Sequence, residues 1–148
     1  MFMLNELLIK ELSDQVETNA SDIQKMKDAE IYSTNEVKTN EKWIDGKPIY
    51  RKTIFISSLP NNTTTQYSHG ISNVDRIWSN QIKSFICWSN GNSAPFPYIS
   101  MGESSTSVTY NAMIELRSIG KTTFEIKTAW DRSPLSAYVT LEYTKTTD

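Results

Sequence analysis

The sequence predicts a mainly β protein in which a coiled-coil oligomerisation helix, residues 1–30, precedes an antiparallel, jelly-roll-like β-sandwich head, residues 31–148. Three observations carry this expectation. The first thirty residues repeat apolar side chains in alternating three- and four-residue steps, the spacing of one helix stripe. From residue 31 onward the period changes to strict alternation, the pattern of strands with two unlike faces. The alternating runs are separated by Gly-, Pro- and Asn-rich clusters with no helical pattern between them, which indicates antiparallel strands joined by turns.

Within the helix, Ile9, Val16 and Ile23 occupy a positions and Leu12, Asn19 and Met26 occupy d positions. The flanks are charged or polar, so the apolar stripe is narrow and the helix needs partner helices to be stable. A surface helix packed on the chain's own β region is the alternative, and it calls for a broader apolar face. Asn19 in the seam acts as a register device, because its amide is tolerated there only when symmetry mates or water satisfy it. β-Branched a residues with Leu12 at d suit a dimer, whereas Asn19 and Met26 depart from that pattern. The heptads leave dimer and trimer both open.

The strands follow in order. KWIDGKPIYRKTIFI, residues 42–56, reads as two strands over a two-residue Asp45-Gly46 turn with Gly46 at positive φ, and Ile54 and Ile56 share a face. Val108, Tyr110, Ala112 and Ile114 share another, as do Phe124 and Ile126. Near the end, Ala137, Val139, Leu141 and Tyr143 alternate with Tyr138, Thr140 and Glu142. LPNNTTT, SNGNSAPFP, RSIGK and DRSP supply the turns, and about eight strands are expected for such a sandwich.

Composition limits the chemistry. The 148 residues suffice for one modest domain with a helical appendage. A formal net charge of -2 offers no basic field for nucleic acid, and MFMLNELLIKEL fits neither a signal peptide nor a span, so no membrane insertion is expected. Cys87 is the one cysteine and His69 the one histidine, which leaves no disulfide, no multi-His or Cys-rich metal site and only a remote chance of a Cys-His pair. Loop carboxylates in the β region, Asp45, Asp75, Glu103 and Asp131, show no pairing that suits a glycosidase. A chain without catalysis, cofactor or metal is expected.

Aromatic and amide loop residues remain. Trp88, Asn90, Asn92, Tyr98, Trp130 and Asp131 gather around two turn clusters, SNGNSAPFP and DRSP. An indole can cover the C–H face of a sugar while amides and carboxylates bond its hydroxyls. Tryptophans in a small sandwich also serve as core, and Trp43 is assigned to packing.

YSTNEVKTNEKWIDGKPIYRKTI, residues 32–54, resembles a segment of tail-fibre and receptor-binding proteins of bacteriophages and prophages of Gram-positive bacteria, and AYVTLEYTKTTD, residues 137–148, is similar to the last strand of the same heads. Together they cover about a quarter of the chain. The resemblance implies a homotrimeric head at a tail fibre or baseplate appendage. Such a head is made in the host cytoplasm, carried on the virion beside other tail or baseplate proteins, and engages a host cell-surface saccharide. Tyr32, Trp43, Gly46, Pro48 and Tyr50 match a framework in this resemblance, and no catalytic residue carries over. A structural tail-fibre tip without receptor contact and a polysaccharide depolymerase are the alternatives.

Overall fold

The computed structural model describes residues 2–29, 32–104 and 107–147, and the side chains of 2–27, 32–98 and 113–147. The chain divides into two units, Met1–Ile31 and Tyr32–Asp148.

The first unit is helix α1, Phe2–Ala29. All its described side chains are exposed. The seam residues Ile9, Leu12, Val16, Ile23 and Met26 are each 52–67% exposed, and Phe2, Met3, Leu4, Leu7 and Leu8 add apolar surface in the first turns. A Lys25–Asp22 pair on the polar side is solvent-exposed and contributes little.

The second unit contains ten strands among the described residues, all antiparallel, rather than about eight. They are β1 (Val37–Lys42), β2 (Pro48–Ile56), β3 (Thr64–Ser68), β4 (Val74–Ser79), β5 (Phe85–Cys87), β6 (Ser93–Pro95), β7 (Tyr98–Ser104), β8 (Ser107–Ile119), β9 (Thr123–Thr128) and β10 (Ser136–Lys145). The excess comes from β5 and β6, three residues each, which are too short for an alternation to register in sequence. One sheet runs β1-β2-β10-β5-β6 with β4 also on β10; the other runs β3-β9-β8-β7. Val108, Tyr110 and Ala112 lie outside the described side chains, whereas Ile114 is 1% exposed.

One apolar cluster draws on both sheets. Ile56, Ile86, Ala137, Val139, Leu141 and Tyr143 come from the first sheet, and Ile114, Phe124 and Ile126 from the second. The alternation read from sequence accounts for this inner face. It does not account for the outer face of β10, where Thr140, Glu142 and Thr144 are also buried. β4 pairs with one half of β10 and β5 with the other, and the connection between them, with a 3-10 turn at Gln81–Lys83, bonds back onto the strand. Asn80 N donates to Thr140 O, and Thr140 N donates to Ser84 Oγ at 2.9 Å. On the same face Trp78 Nε1 and Asn80 Nδ2 donate to Glu142, and Trp43 packs on Trp78 with ring centroids 4.7 Å apart.

The hairpin between β1 and β2 differs from the two-residue turn. Trp43 N donates to Lys47 O and Gly46 N to Trp43 O, which encloses a three-residue loop of Ile44, Asp45 and Gly46. Gly46 has φ +87°, the left-handed residue that closes such loops, and Asp45 Oδ1 accepts from Lys47 N. Lys47 then pairs with Asp75, tying the loop to β4.

Candidate functional site

The strand registers gather several loops at one end of the unit. Ile56 lies opposite Ala137, and Ser136 opposite Cys87, so β2, β5 and β10 share this level. In the other sheet Tyr98 lies opposite Ile114 and Ile114 opposite Thr128. Leu59 N donates to Leu135 O beyond the ends of β2 and β10, Thr128 N donates to Thr63 O beside β9, and Thr128 Oγ1 donates to Pro60 O at 2.9 Å, which joins the second sheet to the chain leaving the first. Both turn clusters singled out in sequence therefore emerge here.

The loop after β5 repeats the β1–β2 loop. Trp88 N donates to Asn92 O, Gly91 N donates to Trp88 O, Gly91 has φ +84°, and Asn90 Oδ1 accepts from Asn92 N. Trp43-Ile44-Asp45-Gly46-Lys47 and Trp88-Ser89-Asn90-Gly91-Asn92 are thus one Trp-x-Asx-Gly-x loop used twice. Sequence reading missed the correspondence, although the shared spacing of Trp, Asx and Gly was there to find it.

Trp88, Asn90, Asn92 and Tyr98 come together with Ser93 and Ala94 around a recess of about 300 Å³. Trp88 is half-buried and packs against the core, and its ring meets that of Tyr98 edge-on, 5.8 Å between centroids at 82°. The Asn90 carbonyl is committed to its turn, which leaves the Asn90 amino group and the Asn92 amide to meet a ligand. These groups donate and accept hydrogen bonds beside an aromatic wall. Ser93 and Tyr98 bring hydroxyls to the recess, and among the described residues no His, Cys, Asp or Glu lines it beside them.

Trp130 and Asp131 occupy the neighbouring turn and do not line this recess. Trp130 is 56% exposed, and its carbonyl accepts from Asn62 N. Asp131 Oδ1 accepts from Ser133 N at 2.9 Å and Ser133 Oγ at 2.7 Å; these bonds hold its carboxyl below the usual range. Asp131 is a turn-forming carboxylate first, as sequence reading allowed for DRSP.

The remaining candidates have structural partners. His69 is 2% exposed; its Nδ1 accepts from Ile71 N, so the Nε2 proton points to Gly120 O at 3.1 Å. Burial lowers its pKa. With both ring nitrogens committed, His69 has no atom to offer Cys87. Asp45 and Asp75 serve the β1–β2 loop, and the Glu103 side chain lies outside the described residues. Glu36 accepts from Tyr143 Oη at 2.7 Å and pairs with Lys145; burial alone would raise its pKa, but these bonds outweigh it and lower the value. Among the described residues no group of three or more His, Cys, Asp or Glu could hold a metal ion, and no helix is long and apolar enough to cross a membrane. The chain matches no protein-family model, no curated protein and no solved structure.

Proposed function

We propose that the chain is a non-catalytic host-recognition head of a phage tail fibre or baseplate appendage, a jelly-roll-like sandwich carried on a trimeric coiled coil and binding a cell-surface saccharide. The single observation that carries this reading is the exposed helix seam in front of a β unit. Ile9, Leu12, Val16, Ile23 and Met26 stay more than half exposed, an apolar stripe suited to symmetry-related copies of itself. Trimerisation in particular rests on the resemblance of residues 32–54 and 137–148 to phage heads. The sandwich is supported by a core to which both sheets contribute. The recess of Trp88, Asn90, Asn92 and Tyr98 supplies an aromatic wall with amides beside it, a shallow site for a sugar, and Trp130 and Asp131, which do not line the recess, stand in the turn between β9 and β10 as further candidates. Shallow sites of this kind reach millimolar to micromolar affinity, about 4–8 kcal/mol, and three copies facing one surface raise avidity.

The test is pull-down of isolated cell walls from Gram-positive hosts with the intact chain, with Asn92→Ala and with Trp130→Ala, alongside Leu12→Asp. Binding should weaken strongly in Asn92→Ala and in Leu12→Asp, with no sugar released into the supernatant. Retention of full binding in Asn92→Ala and Trp130→Ala together rejects the site, and released oligosaccharide rejects the absence of catalysis.

A further inference from the structure

A second concavity lies on the outer face of the first sheet. It holds about 400 Å³ and is lined by Tyr32, Ser33, Thr34, Thr53, Phe85 and Tyr138. Its placement follows from strand register. Tyr138 on β10 sits opposite Phe55 on β2 and opposite Phe85 on β5. The three rings stand in a row across three strands, with centroids 4.9 Å and 5.0 Å apart, and Phe55 is 49% exposed. These rings pack on one another on the face away from the core.

The floor is closed to hydrogen bonding, while the rim is open. Thr140 Oγ1 donates to Lys83 O at 2.7 Å, so the Thr53 hydroxyl is the donor in its 3.0 Å bond to Thr140. Thr53 N donates to Ser33 O at 2.9 Å, which pins the Tyr32–Thr34 wall to β2. Among the described residues the hydroxyls of Tyr32, Thr34 and Tyr138 have no hydrogen-bond partner. No lining side chain is charged, and the Lys83 ammonium beside the groove lies against the Tyr32 ring, 5.7 Å from its centroid.

We infer that this groove binds a neutral sugar ring. A purely apolar occupant would leave three rim hydroxyls dry, a cation would meet no opposite charge on the lining residues, and an anion would find beside them only the Lys83 ammonium, already set against the Tyr32 ring. A pyranose presents C–H faces to the aromatic walls and hydroxyls to the rim, which matches both features. The volume lies within the range of small-ligand sites. The inference rests on the saccharide-recognition reading and adds to it a binding surface separate from the Trp88 recess.

Saturation-transfer NMR on the intact chain tests it, with methyl β-glucopyranoside, methyl β-galactopyranoside, methyl N-acetyl-β-glucosaminide and the anionic methyl β-glucuronide, each at millimolar concentration. At least one neutral glycoside should receive transfer, and the glucuronide should receive less. Tyr32→Ala should weaken that binding about tenfold and Tyr138→Phe, which keeps the ring row, about threefold. Asn92→Ala should leave it unchanged. Binding lost in Asn92→Ala and kept in Tyr32→Ala overturns the groove and leaves recognition at the recess. Equal or stronger transfer to the glucuronide overturns the neutral class. A drop in light-scattering mass on Tyr32→Ala means that a second copy fills the groove, and overturns the inference too. Absence of transfer to all neutral glycosides overturns it as well, while the cell-wall pull-down decides the recognition reading separately.

Discussion

Arg51 on β2 and Glu142 on β10 stand opposite each other with Nε 2.9 Å from Oε1, their side chains 7% and 9% exposed, on the sheet face turned away from the core. Glu142 also accepts from Trp78 and Asn80, so both its oxygens are engaged. Removing one member of such a pair strands the other charge out of water. Glu142→Ala should cost about 3–5 kcal/mol in urea unfolding, whereas Arg51→Met with Glu142→Leu should cost less, because neither charge is then buried. A loss below about 1 kcal/mol for Glu142→Ala would show that the ion pair is solvated in solution.

The two Trp-x-Asx-Gly-x loops should respond alike to the same change. Gly46 and Gly91 hold φ of +87° and +84°, and a Cβ built on either meets no atom within 4 Å. The penalty is therefore backbone strain rather than collision. Gly46→Val and Gly91→Val should each destabilise by about 1–2 kcal/mol, with Gly→Asn milder at both sites. Thermal melts that stay within a degree of the parent would contradict the left-handed assignment.

Acid should weaken the β unit in two separable steps. His69 has a lowered pKa in the fold, so as pH falls the unfolded chain takes up its proton first. Its contribution is full above about pH 6.5 and is lost below that value. Glu36, Asp75 and Asp131 are also lowered, but as carboxylates their contributions persist until pH falls below about 4. His69→Gln should flatten the urea midpoint between about pH 7 and pH 5 and leave the lower step in place. An unchanged slope in that variant would assign the first step to another group.

The helix prediction is one of mass. The parent chain should run as three copies in gel filtration with light scattering. Leu12→Asp in the seam should give single chains at micromolar concentration, and Lys10→Asp on the polar side should change nothing. Three-copy mass in Leu12→Asp would show that α1 does not hold the assembly together.

The sequence made the inner face of β10 legible through Val139, Leu141 and Tyr143, and the helix through its seven-residue spacing. The outer face was not legible. Thr140 and Glu142 read as solvent-facing by alternation, yet they are covered by Trp43, Trp78 and the residues around Asn80–Ser84, which lie some sixty to a hundred positions away in the chain. Alternation reports two unlike faces of a strand; it cannot report what a distant segment lays on the polar one. The same limit hid the groove, whose walls come from Tyr32, Phe85 and Tyr138. The Trp88 recess was more accessible because Trp88, Asn90, Asn92 and Tyr98 fall within eleven residues of one another, so local turn chemistry alone brings most of it together.

β10 is the one strand of the first sheet that bonds to β2, β4 and β5. Before residues 136–145 leave the ribosome, β2 can pair only with β1, β5 only with β6, and β4 has no partner in that sheet. Isolated hairpins of this size are marginal in water, so the first sheet has little to hold it until β10 arrives. The pairing that completes the sheet then spans about ninety residues, as between Arg51 and Glu142, a separation that slows closure. Exposed strand edges such as those of β2 and β5 must survive that interval without pairing with a neighbouring nascent chain. Translation speed and crowding on polysomes are therefore expected to bear on the yield of this protein.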